Sequence, residues 1–383
     1  MMAHRLMPPP TRQSDRVRTL RLQVRGFLTD QRDAGAFVPR VDSWGDGWDE
    51  SFSRALADQG WVGMTIPTEY DGGGRSFGDR FAVTEELLAA GAPVSAHWVA
   101  DRQIAPSLLK FGTDHQKQTF LPEIAAGRQY WAIGMSEPGS GSDLASVRTK
   151  ATRAEGGWRL SGTKVWTSGA HRAHYMFVLA RSAPLDPARR HDGLSQFIVA
   201  LDSPGLTVSP ILNIAGTHHF NEVLLDEVFV PDEMVLGDLG AGWHQVTSEL
   251  GYERSGPERF LSSLVLLRAA LNEVGDGTLE PDPRLGAAFA RIHGLHHMSA
   301  SVAQTLESGA DADTPAAIVK LLGTRLEGDI VDVVDELTGP ELRGPSTYSQ
   351  LLRSGVLARP GFTIRGGTTE ILRGVVTRGM GLR

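Results

Sequence analysis

The sequence predicts an α+β protein in three parts: an N-terminal helical domain, a middle antiparallel β-domain and a C-terminal four-helix bundle. Two observations predict this order. Apolar residues recur at steps of three and four in the first and last parts of the chain, as they do along one face of a helix. Between these parts the period changes to two, the spacing of a strand with one buried face. The predicted domains are residues 1–130, 131–240 and 241–383.

The N-terminal part opens with a predicted helix over residues 15–30. Its apolar residues share one face, and they are Val17, Leu20, Val24, Phe27 and Leu28. The opposite face is rich in arginine, and we expect solvent to cover it. A breaker-rich loop follows over residues 61–76, and helical stretches are predicted through residues 85–90 and 104–111.

The middle part contains six short strand candidates separated by turn signals such as Pro204-Gly205. They are residues 147–154, 158–169, 175–182, 194–203, 206–212 and 220–231. In the C-terminal part, Thr314-Pro315 is a helix start signal and Gly339-Pro340 is a stop signal. The apolar positions between them step by three and four, so one long helix is predicted there.

Composition and charge exclude several classes of protein. The 383 residues are 41% hydrophobic and 22% charged, as in a globular protein with sizeable cores. The net charge of −7 comes without a basic stripe, so nucleic acid is not the expected partner. The lack of cysteine excludes disulfides, thiolate metal sites and a cysteine nucleophile, and makes a cytoplasmic location the default. No signal-peptide pattern and no apolar run of about 18 residues is present, so neither secretion nor a membrane span is expected.

Two stretches concentrate residues that suit a ligand. In IGMSEPGSGSDL, residues 133–144, Pro138 fixes one backbone angle, and Gly139 and Gly141 are expected to supply conformations that other residues avoid. Ser136 and Ser142 would then lie beside exposed backbone N–H groups. This composition is also common in plain turns.

The second stretch, GTKVWTSGA at residues 162–170, is predicted to be a strand that places Trp166 and Ser168 on one face. A tryptophan in a strand usually belongs to a core. A flat ring beside hydroxyl groups nevertheless suits a planar heterocycle that carries oxygen and nitrogen atoms.

Together the two stretches resemble the flavin signatures of the acyl-CoA dehydrogenase family, a T/S-E-P-x-x-G-S-D loop and a K-x-W-x-T/S strand. Residues 112–128, GTDHQKQTFLPEIAAGR, resemble the segment that closes this family's N-terminal domain. The resemblance runs from about Asp15 to the end of the chain. It implies the acyl-CoA dehydrogenase fold with FAD as cofactor, and FAD contacts from Met135, Ser136, Gly141, Ser142, Trp166 and Ser168.

The family's reaction needs a carboxylate that removes the proton alpha to a thioester carbonyl, while the beta hydrogen leaves as hydride. In medium- and short-chain relatives the base is a Glu directly before G-T-x-(E/Q)-I. The matching stretch here is TIRGGTTEILRG, residues 363–374, and Gly366 stands at the position of that Glu. Either the chain has lost catalysis or its base lies elsewhere.

Isovaleryl- and long-chain-type relatives carry the base in an E-R pair on the first long helix of the C-terminal domain, and Glu253-Arg254 is in register with that pair. Trp243, Val246 and Leu250 trace an apolar stripe whose next position is Glu253, so a carboxylate is expected where a core residue belongs. Burial makes a carboxylate a stronger base, although a neighbouring cation opposes this effect. The alternative is a buried Glu that only pairs with an Arg.

Nearby residues receive lesser roles. Pro257 lacks an N–H, so the helix is expected to be kinked or locally opened there. Glu258-Arg259 is a second E-R pair that lies off the stripe and ranks below Glu253. The family resemblance gives Glu370 a structural role and implies substrate contacts from Ser142, Arg254, Gly366 and Gly367. Without a side chain at Gly366, the pocket would accept a branched or polycyclic acyl group, unless a neighbouring side chain fills the space.

The chain departs from the family in two further places. Relatives usually carry R-x-x-F-G, and later Q-x-x-G-G-x-G, which contact the flavin diphosphate and adenine across a subunit interface. This chain has EPDPRLGAAFARIHG and VDELTGPELRG there. In this it resembles the actinobacterial heteromeric acyl-CoA dehydrogenases that act on steroid side chains, in which a related chain supplies those contacts.

The implied reaction is the alpha,beta-dehydrogenation of an acyl-CoA thioester to trans-2-enoyl-CoA. The implied partners are an electron-transferring flavoprotein and a homo- or hetero-tetramer, the latter with a related acyl-CoA dehydrogenase chain. Two alternatives stay open: a non-catalytic partner subunit of a heteromeric dehydrogenase, and a flavin oxidase or oxygenase on the same fold. The absence of the usual Glu favours the first alternative, and Glu253 opposes it.

Other patterns are weaker. His293, His296 and His297 have metal-ligand spacing on a predicted helix, but no nearby carboxylate is expected, and no metal site is predicted. The loop lacks the second Gly of a G-x-S-x-G elbow, which disfavours a serine hydrolase. Neither a G-x-G-x-x-G fingerprint after an opening strand nor a P-loop motif is present, so nicotinamide and nucleoside-triphosphate folds are disfavoured.

Overall fold

The computed structural model describes residues 14–254, 256–310 and 312–382, while the side chains of residues 250–253 lie outside the described part. The described chain forms two compact units. We call Asp49–Gly74 with Ala96–Leu250 the sheet unit. The described residues before Asp49, Arg75–Ser95, and the described residues from Gly251 onward form the helical unit. The domain boundaries near residues 130 and 240 stay a prediction.

The helices confirm the predicted order of helix, sheet and helix. The helix predicted over residues 15–30 is present and three residues longer. In chain order the helices are α1 (Asp15–Asp33), α2 (Ser43–Asp46), α3 (Glu50–Asp58), α4 (Phe77–Ala89), α5 (Ser95–Val99), α6 (Ala105–Phe111), α7 (Asp114–Ala125), α8 (Gly242–Arg254), α9 (Leu264–Gly275), α10 (Pro283–Glu307), α11 (Asp313–Leu337), α12 (Thr347–Phe362) and α13 (Thr369–Gly379). A π-helical turn, Ala100–Ile104, joins α5 to α6.

All six predicted strands are present, together with two that were not predicted. The strands are β1 (Trp131–Gly134), β2 (Lys150–Ala154), β3 (Gly157–Lys164), β4 (Tyr175–Arg181), β5 (Leu194–Ala200), β6 (Leu206–Leu212), β7 (His218–Pro231) and β8 (Val235–Leu236). They form one sheet in the order β6-β7-β3-β2-β4-β5-β8, with β1 paired to β4. Strands β1 and β8 are too short to show an alternating pattern.

The sheet is mixed rather than purely antiparallel. Strand β1 runs parallel to β4, with Trp131 opposite Tyr175, and β2 meets β4 in parallel at Lys150. The other pairings are antiparallel. The parallel pairing arises because the chain leaves β1, forms the β2–β3 hairpin and only then returns as β4.

Both faces of the central strands are buried. On one face, buried apolar residues from several strands pack together in a single cluster, which includes Leu160, Phe197 and Val223. The other face is covered by α6 and α7, whose Leu108 and Phe120 belong to the same core as residues of β1, β4 and β5. This double cover explains why successive residues of β4 and β5 are buried, rather than every second one.

The prediction that solvent covers the arginine face of α1 is wrong for part of that face. Arg21 is buried, and its guanidinium lies 2.5 Å from Glu85 and 2.8 Å from Glu86 of α4. Arg25 also binds Glu86, at 2.7 Å. Glu85 in turn lies 2.5 Å from His296 Nδ1 on α10. The partners are far apart in the sequence, so the pattern of α1 alone did not show them.

The helix signals in the C-terminal part are confirmed. Helix α11 begins at Asp313 and ends at Leu337, two residues before Gly339. Helix α8 ends at Arg254, and Pro257 begins a separate 3-10 turn, Pro257–Arg259. The chain thus ends its helix before the proline instead of kinking around it. Within the described ranges, no helix has the length and apolarity to cross a bilayer.

The first testable prediction concerns His97, which is buried in the sheet unit with Nδ1 2.9 Å from Ser53 Oγ. Burial lowers the pKa of His97 from 6.5 to about 4. The unfolded chain therefore binds a proton at His97 at a higher pH than the folded chain does. The stability that the neutral His97 gives the folded protein is complete above pH 6.5 and is lost as the pH falls toward 4. We expect the free energy of unfolding to fall by about 2–3 kcal/mol over this window.

The measurement is urea unfolding of wild type and His97→Gln between pH 7 and 4.5. The variant should show a flatter pH dependence. His115→Gln, which changes an exposed histidine of α7, is the matched control and should follow the wild type. Parallel curves for His97→Gln and wild type would contradict the assignment.

The second prediction has the opposite sign and concerns Glu327 of α11, which is buried in the helical unit. Its Oε1 accepts a hydrogen bond from Ser262 N at 2.7 Å, but burial outweighs this bond and raises the pKa of Glu327 to about 7. The contribution of the neutral Glu327 side chain to the free energy of unfolding is complete below pH 4.5 and is lost as the pH rises to 7. Glu327→Gln should therefore raise the free energy of unfolding at pH 8 by about 2–3 kcal/mol, with little effect at pH 4.5. Equal stability of the two proteins at pH 8 would refute this expectation.

Candidate active site

The two stretches that the sequence singled out are brought together in the sheet unit. The loop that follows β1 lies against the end of β3, where Val165 N donates to Ser136 O at 2.9 Å. Lys164 Nζ donates to Met135 O at 3.1 Å. Within the loop, the backbones of Glu137 and Ser140 exchange hydrogen bonds of 2.8 and 3.0 Å. The loop therefore has a defined conformation that is fixed to the sheet.

A buried ion pair holds this arrangement. Lys164 is 0% exposed, and its Nζ lies 2.9 Å from Glu137 Oε1 and 2.7 Å from Leu179 O. The Glu137 carboxylate also accepts bonds from Thr149 N and Oγ1 at 2.9 and 2.5 Å, and from Arg148 N at 2.7 Å. We call these two residues the Glu137–Lys164 pair.

The pair shifts the pKa of both groups. Burial lowers the pKa of Lys164 to about 8, although Glu137 opposes the shift. Burial alone would raise the pKa of Glu137, but the charge of Lys164 and the bonds from Thr149 outweigh it and lower that pKa. The carboxylate is therefore ionised at neutral pH and keeps its four donors.

The predicted strand through residues 162–170 ends early. Strand β3 stops at Lys164, and Trp166 has a left-handed backbone with φ 60°. Trp166 is 59% exposed, so it is not a core residue, and Ser168 lies in a turn rather than on a strand face. Thr167 still pairs with Asn221 of β7, since their backbones exchange two hydrogen bonds and Asn221 Nδ2 donates to Thr167 O at 2.8 Å. Gly169 N also donates to His219 O, so the chain stays beside β7 and only residues 165 and 166 interrupt the pairing. The exposed indole lies at this interruption.

The glycines of the loop act differently from the prediction. Neither Gly139 nor Gly141 has a positive φ, so they are not present for a special backbone conformation. A Cβ added at either position would meet nothing within 4 Å among the described residues. Gly141 and Ser142 are exposed, and Ser136, Met135 and Ser168 are partly buried. The glycines thus leave open space beside the backbone, where a ligand can approach closely.

These features fit a planar, polar cofactor. The exposed indole of Trp166 offers a flat face, held by a left-handed conformation that non-glycine residues adopt mainly at functional sites. The hydroxyl of the neighbouring Thr167 is buried and has no hydrogen-bond partner among the described residues. Exposed loop backbone with open space completes the cradle.

The remaining predicted residues lie in the helical unit, and two of them are in contact. Arg254 Nε, in the last turn of α8, donates to Gly366 O at 3.0 Å. Gly366 and Gly367 have φ values of 67° and 96°, a conformation that requires glycine. Glu253 also falls in the last turn of α8, and its side chain lies outside the described part. Two residues of the apolar stripe on α8 belong to the interior. Val246 is buried in an apolar cluster with Leu179 and Leu194, and Trp243 packs against this cluster.

Three residues that take part in these contacts had no role in the sequence interpretation. Glu137 is part of the T/S-E-P-x-x-G-S-D motif, and Lys164 is part of the K-x-W-x-T/S motif. The motifs do not show that the two side chains form an ion pair, which only the fold reveals. Lys320 is fully buried on α11 and donates from Nζ to Gly367 O. Its only signal in the sequence is a lone charge within the apolar run AAIVKLL.

The three histidines of α10 do not form a metal site in the structure. Glu85 of α4 binds His296, a contact with a distant segment that the sequence pattern did not point to. His297 Nε2 lies 3.2 Å from His293 Nε2. Among the described residues, no group of three or more histidine, aspartate and glutamate side chains is arranged to hold a metal ion.

The chain matches two family models over adjacent ranges. Residues 14–128 match the acyl-CoA dehydrogenase N-terminal domain, and residues 132–228 match the acyl-CoA dehydrogenase middle domain. The chain belongs to the acyl-CoA dehydrogenase family. This acyl-CoA dehydrogenase is an oxidoreductase, and the cofactor of its family is FAD.

Named relatives agree over most of the chain. It is 34% identical to the acyl-CoA dehydrogenase IpdE1 of Mycobacterium tuberculosis over 94% of this chain and 96% of that one. It is 35% identical to the acyl-CoA dehydrogenase FadE34 of the same organism, and it spans 45% of that longer relative. Its fold is similar to that of the Tcur3481-Tcur3483 steroid ACAD, with a TM-score of 0.84 and 28% identity over 97% of this chain and 99% of that one. The ChsE4-ChsE5 complex from Mycobacterium tuberculosis gives a TM-score of 0.81 and 26% identity over 98% and 99%.

The third prediction tests the Glu137–Lys164 pair. Lys164→Met removes the donor to Met135 O and leaves Glu137 buried without its cation, which costs about 3–5 kcal/mol. We expect the variant to be purified with at least about tenfold less FAD and to show faster amide hydrogen exchange over residues 135–143. Flavin absorbance and exchange mass spectrometry measure the two effects.

Lys150→Met is the matched control, because Lys150 is an exposed lysine of the neighbouring strand β2. It should keep wild-type flavin content and exchange. The double variant Glu137→Gln/Lys164→Met should lose less than the sum of the two single variants, because no uncompensated charge stays buried. Additive losses would show that the two side chains do not act as a pair.

Proposed function

We propose that this chain catalyses the alpha,beta-dehydrogenation of an acyl-CoA thioester to trans-2-enoyl-CoA, with Glu253 as the alpha-proton base. The observation that carries the proposal is the contact between Arg254 and Gly366 O. Gly366 occupies the place of the base in medium- and short-chain relatives, and the residue before Arg254 is Glu253. The last turn of α8, which carries Glu253, therefore lies beside the residue that matches the base of those relatives.

The proposed cofactor contacts come from the sheet unit. Met135, Ser136, Gly141, Ser142, Trp166 and Ser168 are the residues that would hold the flavin. FAD, when bound, supplies the acceptor for the beta hydride. The exposed face of Trp166 suits stacking on a flat ring, and the partly buried hydroxyls of Ser136 and Ser168 can satisfy polar ring atoms.

The chemistry asked of the chain itself is proton removal. The Glu253 carboxylate takes the alpha proton, and the electron pair left at the alpha carbon forms the double bond as the beta hydrogen departs with its electrons. Arg254 holds the Gly366 peptide in place and puts a positive charge near the thioester end. Ser142, Gly366 and Gly367 complete the proposed substrate contacts.

The proposed substrate is a branched or ring-containing acyl-CoA, and the proposed assembly is a tetramer with a related chain. The absence of a side chain at Gly366 supports the first point. The absence of the R-x-x-F-G and Q-x-x-G-G-x-G motifs supports the second, as does the likeness to structures described as a steroid ACAD and as a complex of two chains. We further propose that electrons pass to an electron-transferring flavoprotein and that the protein is cytoplasmic.

The fourth prediction tests the base. Glu253→Gln should keep bound flavin but lose reduction of that flavin by substrate, by a factor of about 10²–10⁴, because an amide cannot accept the alpha proton. The measurement is anaerobic bleaching of flavin absorbance with a panel of acyl-CoA thioesters. Glu258→Gln, the matched change in the neighbouring E-R pair, should bleach at nearly the wild-type rate. Bleaching of Glu253→Gln at the wild-type rate would show that Glu253 is not the base.

Two other functions are separated by the same measurement. Gly366 favours a non-catalytic partner subunit. The chain alone would then show no bleaching by any thioester, and a co-expressed complex with a related chain would bleach at the same rate with Glu253→Gln as with the wild type. An oxidase or oxygenase would be bleached, and its reduced flavin would then be reoxidised by oxygen without an added electron acceptor.

A further inference from the structure

The segment Arg365-Gly366-Gly367 is fastened at three consecutive residues by charged groups from different elements of the helical unit. The Arg365 guanidinium binds both carboxylate oxygens of Asp42, at 2.8 and 2.9 Å, and lies 4.4 Å from the centre of the Trp44 ring. Gly366 O accepts from Arg254, and Gly367 O accepts from Lys320. We call this segment the diglycine loop.

Two adjacent glycines have more backbone freedom than any other pair of residues, so a fixed conformation here requires external contacts. Left-handed φ values at both positions show that one conformation is selected. The carbonyls of both glycines are bound by cations from α8 and α11. These bonds constrain the backbone through its two carbonyls, and the side chains of Arg254, Ile371 and Leu372 lie within 4 Å of where a Cβ at Gly367 would be.

Lys320 is the costly member of this set. It is 0% exposed, and an ammonium group taken out of water costs several kcal/mol unless it is paired or hydrogen-bonded. Most of the other buried residues of α11, such as Val319 and Leu326, are apolar. A charge kept at such a site indicates a contact that an apolar residue cannot make, and the bond to Gly367 O is such a contact.

We propose that Lys320 is a positioning residue that fixes the conformation of the diglycine loop and thereby sets the preference for bulky acyl groups. This inference rests on the proposed function, since the loop is a pocket wall only if Gly366 and Gly367 contact the acyl-CoA. Lys320 acts through Gly367 and does not touch the reacting atoms. When its donor is removed, the loop gains conformational freedom and the pocket wall no longer has one fixed shape.

The test compares Lys320→Met with Lys320→Gln in the full chain. Both side chains approach the length of lysine and carry no charge, but only glutamine keeps a donor for Gly367 O. Calorimetry with two enoyl-CoA probes, one short and straight and one with a ring-containing acyl group, gives the ratio of their dissociation constants. Lys320→Met should reduce the wild-type preference for the bulky probe about tenfold, and Lys320→Gln should restore most of it.

The matched control is Val334→Ala, which destabilises the protein at a buried position near the other end of the same helix. It should leave the preference unchanged. An unchanged preference in Lys320→Met would overturn the proposal. An equal loss in Lys320→Met, Lys320→Gln and Val334→Ala would also overturn it, because it would show a general effect on stability.

A second readout does not depend on the proposed function. Amide hydrogen exchange over residues 364–372 should be faster in Lys320→Met than in wild type and close to wild type in Lys320→Gln. If no acyl-CoA or enoyl-CoA binds the wild-type chain, the proposed function fails and the specificity role fails with it. Hydrogen exchange would then still show whether Lys320 holds the loop.

Discussion

The sheet unit depends on the Glu137–Lys164 pair. Its ammonium group joins three pieces of the chain, since it binds the loop after β1 through Met135 O and Glu137 and reaches β4 through Leu179 O. Neither charge can be left alone in the interior without a cost of several kcal/mol. The loop after β1 therefore cannot leave the end of β3 while the sheet is folded. Trp166, with its left-handed backbone, follows two residues after Lys164.

The helical unit uses the same physical solution at a second loop. Arg254 and Lys320 bind the carbonyls of Gly366 and Gly367, as Lys164 binds the carbonyls of Met135 and Leu179. A cation on a long side chain can hold a backbone from behind, so the loop itself needs no large side chain for its anchoring. Both loops can therefore be rich in glycine and still be rigid. A loop of this kind exposes backbone to a ligand at close range and loses little entropy when the ligand binds.

Local periodicity was sufficient to predict the elements but not the contacts between distant charges. The helices and the six longer strands follow from apolar spacing, because each element buries one face or both. The left-handed backbone of Trp166 was missed because it accompanies an interruption of the pairing between β3 and β7, and Asn221 is 54 residues away from its partner Thr167. The arginine face of α1 was misread for the same reason, since Arg21 and Glu86 are 65 residues apart. The motifs located the candidate site, but no motif says that Glu137 and Lys164 are buried against each other.

The missing glutamate and the conformation of the diglycine loop are two aspects of one change. A glutamate at position 366 would carry a Cβ at a φ of 67°, a strain of roughly 1–2 kcal/mol for an L-residue. The loop as it is bound here thus disfavours a side chain at position 366. The proposed base is on another element, the last turn of α8, whose Arg254 contacts Gly366 O.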